Sequence, residues 1–80
     1  MAVKLVFLGK LADLAGASER DVPAPLDWQA LLGALPGPLA EVARGEKVKL
    51  AVNGTVLADK RTLMAEDGDE VALLPPVSGG

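Results

Sequence analysis

Lys47-Val48-Lys49-Leu50-Ala51-Val52-Asn53-Gly54-Thr55-Val56-Leu57 is the stretch whose reading decides the fold. Val48, Leu50 and Val52 alternate with Lys47, Lys49, Ala51 and Asn53, the period of two expected of a strand with one face in a core. Asn-Gly after such a run is the strongest short-range hairpin signal, because the favoured two-residue turn needs positive φ at both positions. Residues 55–57 are therefore expected to return as the second arm. Further along, Asp67-Gly68-Asp69 turns the chain into a last strand, Glu70–Leu74. There Val71 and Leu73 share the core face, and Ala72 and Leu74 point the other way. Pro75 and Pro76 then stop pairing, since proline has no N–H to give to a ladder.

Towards the start, Val3, Leu5 and Phe7 alternate with Ala2, Lys4, Val6 and Leu8, predicting a first strand that Gly9 ends. Leu11, Leu14 and Ala15 suit a short helical turn closed by Gly16, and residues 18–22 read as a second strand ended by Pro23 and Pro25. Asp27 is a good N-cap for a helix in which Trp28, Leu31, Leu32 and Leu35 fall at i, i+3, i+4 and i+7 before Pro36. Trp28 is expected to anchor the core. Pro38 opens another short helix with Leu39, Val42 and Ala43 on one face, and Gly45 is expected to close it in the left-handed conformation.

The order strand, strand, helix, strand, strand, strand predicts an α+β domain over residues 1–74, with helices on one face of a mixed sheet, compatible with a β-grasp. Val3, Leu5, Phe7, Val48, Leu50, Val52, Val71 and Leu73 would face the helices. Val6, Leu8, Ala51, Ala72 and Leu74 would form an opposite, open face. That face is too apolar to be left in water, and it adjoins the end of the chain, so it reads as a docking surface.

Composition narrows the function. Eighty residues make one domain. Half are hydrophobic and the formal net charge is −3. The acidic balance and the scattered Lys and Arg argue against a nucleic-acid partner. No apolar run approaches the roughly 20 residues of a membrane span, so a cytoplasmic protein is expected. With no cysteine and no histidine, thiolate nucleophiles, zinc-thiolate sites and the commonest general base are all missing. The two serines, Ser18 and Ser78, have no histidine partner. A self-contained enzyme is not expected. There is also no phosphate-cradling glycine loop, so no cofactor is expected on this chain and any ATP would be bound by another protein. Glu66, Asp67, Asp69 and Glu70 cluster around Gly68, but their spacing fits no EF-hand and reads as a turn with a solvated acidic rim.

The remaining segment, residues 75–80, is Pro75-Pro76-Val77-Ser78-Gly79-Gly80. The prolines favour an extended conformation that projects from the body. At ~3.3 Å per residue, the six span about 20 Å. Gly79 and Gly80 lack side chains and can pass a channel closed to other residues. A carboxylate on Gly80 is the expected functional group.

Gly68-Asp69-Glu70-Val71-Ala72-Leu73-Leu74-Pro75-Pro76-Val77-Ser78-Gly79-Gly80 closely resembles the ending of the small subunit of molybdopterin synthase, the MoaD family of ubiquitin-like sulfur carriers. The opening Val-Lys-Leu-Val-Phe, the Leu14-Ala15-Gly16 corner and Ala51-Val52-Asn53-Gly54 extend the resemblance along the chain. It implies a ubiquitin-like β-grasp whose Gly80 is adenylated by an ATP-dependent, MoeB-type enzyme and converted to a thiocarboxylate by a sulfur donor. A large, MoaE-type subunit would receive the tail, pass the sulfur to cyclic pyranopterin monophosphate and form a heterotetramer with this chain. By the same resemblance, Gly80 and Gly79 are the reactive end. Pro75, Pro76, Val77 and Ser78 set the tail's reach, and Leu74, Val6, Leu8 and Ala72 meet the partner. The chain departs from the family at Ala12-Asp13, where arginine and glutamate are common, and at Leu73-Leu74, where aromatic residues are. A sulfur carrier for thiamine thiazole synthesis and a ubiquitin-like protein modifier are the alternatives.

Overall fold

The structure is a computed structural model that describes residues 2–76. Strand β1 (Ala2–Phe7) leads through helix α1 (Lys10–Ala15) to β2 (Glu19–Pro23). A short strand β3 (Leu26–Asp27), helix α2 (Trp28–Ala34) and helix α3 (Gly37–Arg44) follow. The hairpin is β4 (Lys49–Val52) and β5 (Thr55–Val56). A 3₁₀ turn (Lys60–Thr62) and β6 (Met64–Ala65) lead to the last strand, β7 (Glu70–Leu74). The main sheet has the order β2-β1-β7-β4-β5, with β1 and β7 parallel and the other neighbours antiparallel. This is the mixed sheet of a β-grasp.

The local signals act as their chemistry requires. Asn53 and Gly54 take φ of 50° and 87°, and the pair Val52–Thr55 closes the two-residue turn. Asp27 accepts the Ala30 N–H at 2.8 Å, satisfying one of the four amides that a helix start leaves without partners. Val3, Leu5, Phe7, Leu50, Val71 and Leu73 of the sheet pack with Leu11, Ala15, Leu31, Leu35, Leu39 and Ala43 of the helical layer and its ends. Burying this aliphatic area is the main stabilising term of a domain this small.

Arg20 does what its place in a strand does not announce. Its guanidinium donates to the carbonyls of Ala15 (3.3 Å) and Ala34 (3.4 Å), the last residues of α1 and α2. One side chain thus caps two short helices whose final carbonyls have no intrahelical donor. Arg20→Met keeps most of the stem and removes both bonds. It should cost about 1–2 kcal/mol in urea unfolding, with an unchanged m-value.

The structure corrects three expectations and adds one element that the sequence analysis did not foresee. Gly45 has φ −65°, not a left-handed value; its N–H reaches the Val42 carbonyl, and a Cβ there would sit 3.2 Å from that oxygen. Trp28 is only half-buried, packed against the core from its rim. Leu14 is 41 % exposed and Val42 38 %, because α1 and α3 bury only their Leu11–Ala15 and Leu39–Ala43 edges. The charge-rich segment after the hairpin, which the sequence gives no periodicity, forms the 3₁₀ turn and β6. β6 pairs with β3 and adds Leu63, Ala65 and Leu26 to the core.

Candidate functional site

The strand register writes out the open face row by row. Glu19, Val6, Ala72, Ala51 and Val56 lie opposite one another across all five strands of the main sheet. One row towards the end of β7, Leu74 lies beside Lys49, and Leu8 stands one residue beyond the Phe7–Leu73 pair. The Leu8 N–H donates to the Leu73 carbonyl there. Val6, Ala72 and Leu74 are half-buried, and Leu8 is 41 % exposed. Ala51 is buried but lies outside the connected hydrophobic cluster beneath the helices. Val56, 54 % exposed, extends the patch and was missed in the sequence. The two-residue turn, which sets Val56 opposite Ala51, was the signal for it. Leu73 faces the core, so of the pair Leu73-Leu74 only Leu74 bears on this surface.

The apolar rows run to the base of the tail. Pro75 is half-buried over the corner after β1, where a Cβ on Gly9 (φ +56°) would come within 3.3 Å of the Pro75 Cγ. Pro76 is exposed. Val77, Ser78, Gly79 and Gly80 lie outside the described residues.

At the other end of β7 the acidic cluster is a built turn. Gly68 has φ +88°, and Asp69 accepts from the Glu66 N–H at 2.8 Å and from Asn53 Nδ2 at 3.0 Å. Asn53 in turn accepts the Glu70 N–H, and Asp67 accepts the Ala2 N–H, both at 2.9 Å. Among the described residues no group of three acidic side chains could hold a metal ion. The backbone bond from Glu66, then the Asn53 amide, holds the Asp69 carboxyl below the usual carboxylate range. A group whose folded pKa is depressed stabilises the fold above its unfolded value and loses that contribution as pH falls. Below about pH 4 the native chain should therefore lose thermal stability more steeply than Asp69→Asn, as melting curves from pH 6 to 2 would show.

The model of the ThiS family matches residues 5–80. The chain belongs to the ThiS family. It is 37 % identical over 83 residues to the molybdopterin synthase sulfur carrier subunit of Anopheles gambiae, covering 98 % of this chain and 91 % of that protein. Among solved structures it resembles SAMP1 from Haloferax volcanii, with 29 % identity, TM-score 0.70 and complete coverage of both chains. It also resembles a chain in the complex of subunits 1 and 2 of molybdopterin-converting factor from Helicobacter pylori, with 25 % identity, TM-score 0.59 and complete coverage of both. This member of the ThiS family thus has the ubiquitin-like β-grasp expected of it.

Proposed function

We propose that the chain is the sulfur carrier subunit of a molybdopterin synthase, with Gly80 as the group that is loaded. The whole-length relationship to the Anopheles gambiae sulfur carrier subunit carries this reading. A carboxylate is a poor acyl donor, so Gly80 must first attack the α-phosphorus of ATP on an activating enzyme and release pyrophosphate. A sulfur nucleophile then displaces AMP from the acyl adenylate, leaving a thiocarboxylate. The large synthase subunit takes the tail into its own active site, where the sulfur passes to cyclic pyranopterin monophosphate. Acid–base groups come from the partners, in keeping with a chain that has neither histidine nor cysteine. The open face, with Val6, Leu8, Ala72 and Leu74, docks on the partner and aims Pro75, Pro76, Val77 and Ser78 at that site. The same face serves both the activating enzyme and the large subunit, which joins this chain in a cytoplasmic heterotetramer. Among the described residues no helix is long and apolar enough to cross a membrane.

The likeness to SAMP1, a small archaeal modifier protein, favours a second reading in which activated Gly80 is transferred to lysines. Intact-mass analysis after co-expression with an activating enzyme and a sulfur donor separates the two. We expect a gain matching exchange of one oxygen for sulfur. Conjugates of higher mass on lysines of other proteins would instead establish the modifier.

A further inference from the structure

An open groove of about 500 Å³ lies between the start of α2, the end of α3, the entry to β4 and the 3₁₀ turn. Its floor is apolar, made of Val48, Leu57 and the indole of Trp28. Its walls carry Arg44, Lys49, Lys60 and Arg61, half of the basic side chains of a chain whose net charge is −3. Against these four stand Glu46 and Asp59. Local charge is therefore opposite in sign to that of the molecule.

The cations differ in their commitments. Lys60 Nζ donates to the carbonyls of Gly45 and Val48 and sits 5.8 Å from the Trp28 ring centroid, so it ties the end of α3 to the edge of β4. Arg61 is paired with Asp59 at 3.1 Å, and Arg44 lies 3.9 Å from Glu41. The Lys49 side chain has no hydrogen bond or ion pair among the described residues, and neither has the Trp28 indole N–H. Burial, followed by repulsion from Lys49, depresses the Lys60 pKa, as expected where positive charge is under-compensated.

We propose that this groove binds an acidic, extended segment of a partner protein, with an apolar side chain on the Trp28–Leu57 floor and carboxylates against Lys49, Arg44 and Arg61. A peptide fits better than a small anion. Lys60 is committed to two backbone carbonyls and Arg61 to Asp59, so the groove offers no set of free cations to a single anion, and its floor is apolar. The unpaired indole N–H supplies a donor that a carboxylate or peptide carbonyl can take up. Lys49 also stands in the row of Leu74 on the open face, so a partner lying over that face reaches the mouth of the groove. That placement rests on the docking reading of the face, whereas the chemistry of the groove does not.

Trp28 is the chain's single tryptophan and reports on the site directly. The full chain is titrated with a synthetic peptide of alternating glutamate and leucine, with its glutamine counterpart and with inorganic phosphate, following Trp28 fluorescence. We expect a saturable change with the acidic peptide only. Its affinity should weaken when salt is raised from 50 to 500 mM, and by about tenfold in the double variant Arg44→Gln/Lys49→Gln, whose melting temperature should fall only slightly, since Arg44 gives up just an exposed pair with Glu41. An equal response to the glutamine peptide, a saturating response to phosphate alone, no response to any ligand, or undiminished binding by the double variant would each overturn the proposal. Because no synthase or activating enzyme takes part, the outcome is independent of the sulfur-carrier reading.

Discussion

Removal of Gly80 alone should eliminate the sulfur-loaded species and all transfer to the acceptor, while the melting temperature stays that of the full chain. Every core residue among those described lies between Val3 and Leu73, and β7 ends at Leu74, so the aliphatic packing described for the domain does not call on residue 80. The chemistry, by contrast, needs an acyl carbon at one fixed distance from the docked body. Shortening the tail withdraws that carbon by roughly 3.3 Å, where reacting atoms must approach to about 3–3.5 Å. Ending the chain at Gly79 still leaves a glycine carboxylate, so its failure would isolate reach from group identity. Intact mass measures loading, and calorimetry measures the fold. A large drop in melting temperature would mean that the tail is structural.

The second large effect is expected of Ala72→Glu. Ala72 is on the central strand, between Val6 and Ala51 in the row that crosses the sheet. In the free protein a glutamate there reaches water and should change stability by less than about 1 kcal/mol. Under a docked partner the same carboxylate loses its water, which Lys49, one row away on the same face, offsets only in part. Affinity for a large synthase subunit should fall at least ~100-fold, equivalent to about 3 kcal/mol. Leu14→Glu, on the exposed flank of α1 and 41 % accessible in the native protein, is the control and should bind normally. Equal loss in both variants by isothermal titration would place the interface elsewhere.

How much of this was legible in the chain depends on the range of the forces involved. The Asn53-Gly54 turn, the Asp27 cap and the alternation in β1, β4 and β7 are local, and each formed where its residues require. The open face followed once register was known, because a period of two leaves no choice of side. β3 and β6 were not legible: two-residue strands have no period, and Leu26 and Ala65 find each other only through the folded body. Trp28 read as a core anchor because its spacing matches Leu31 and Leu35. Spacing cannot say that Lys60 would cover its ring from another part of the chain. The groove escaped for the same reason, its walls coming from positions 28, 44, 49, 57, 60 and 61.

The strand that carries the tail is held on both sides, parallel to β1 and antiparallel to β4. A tug on the C-terminal end is met by two ladders sliding against their neighbours, so many bonds must yield together instead of unzipping singly. An enzyme that gripped the tail and strained it towards its own chemistry would therefore pull on a mechanically stiff anchor, and its work would go into the tail instead of into unravelling the carrier.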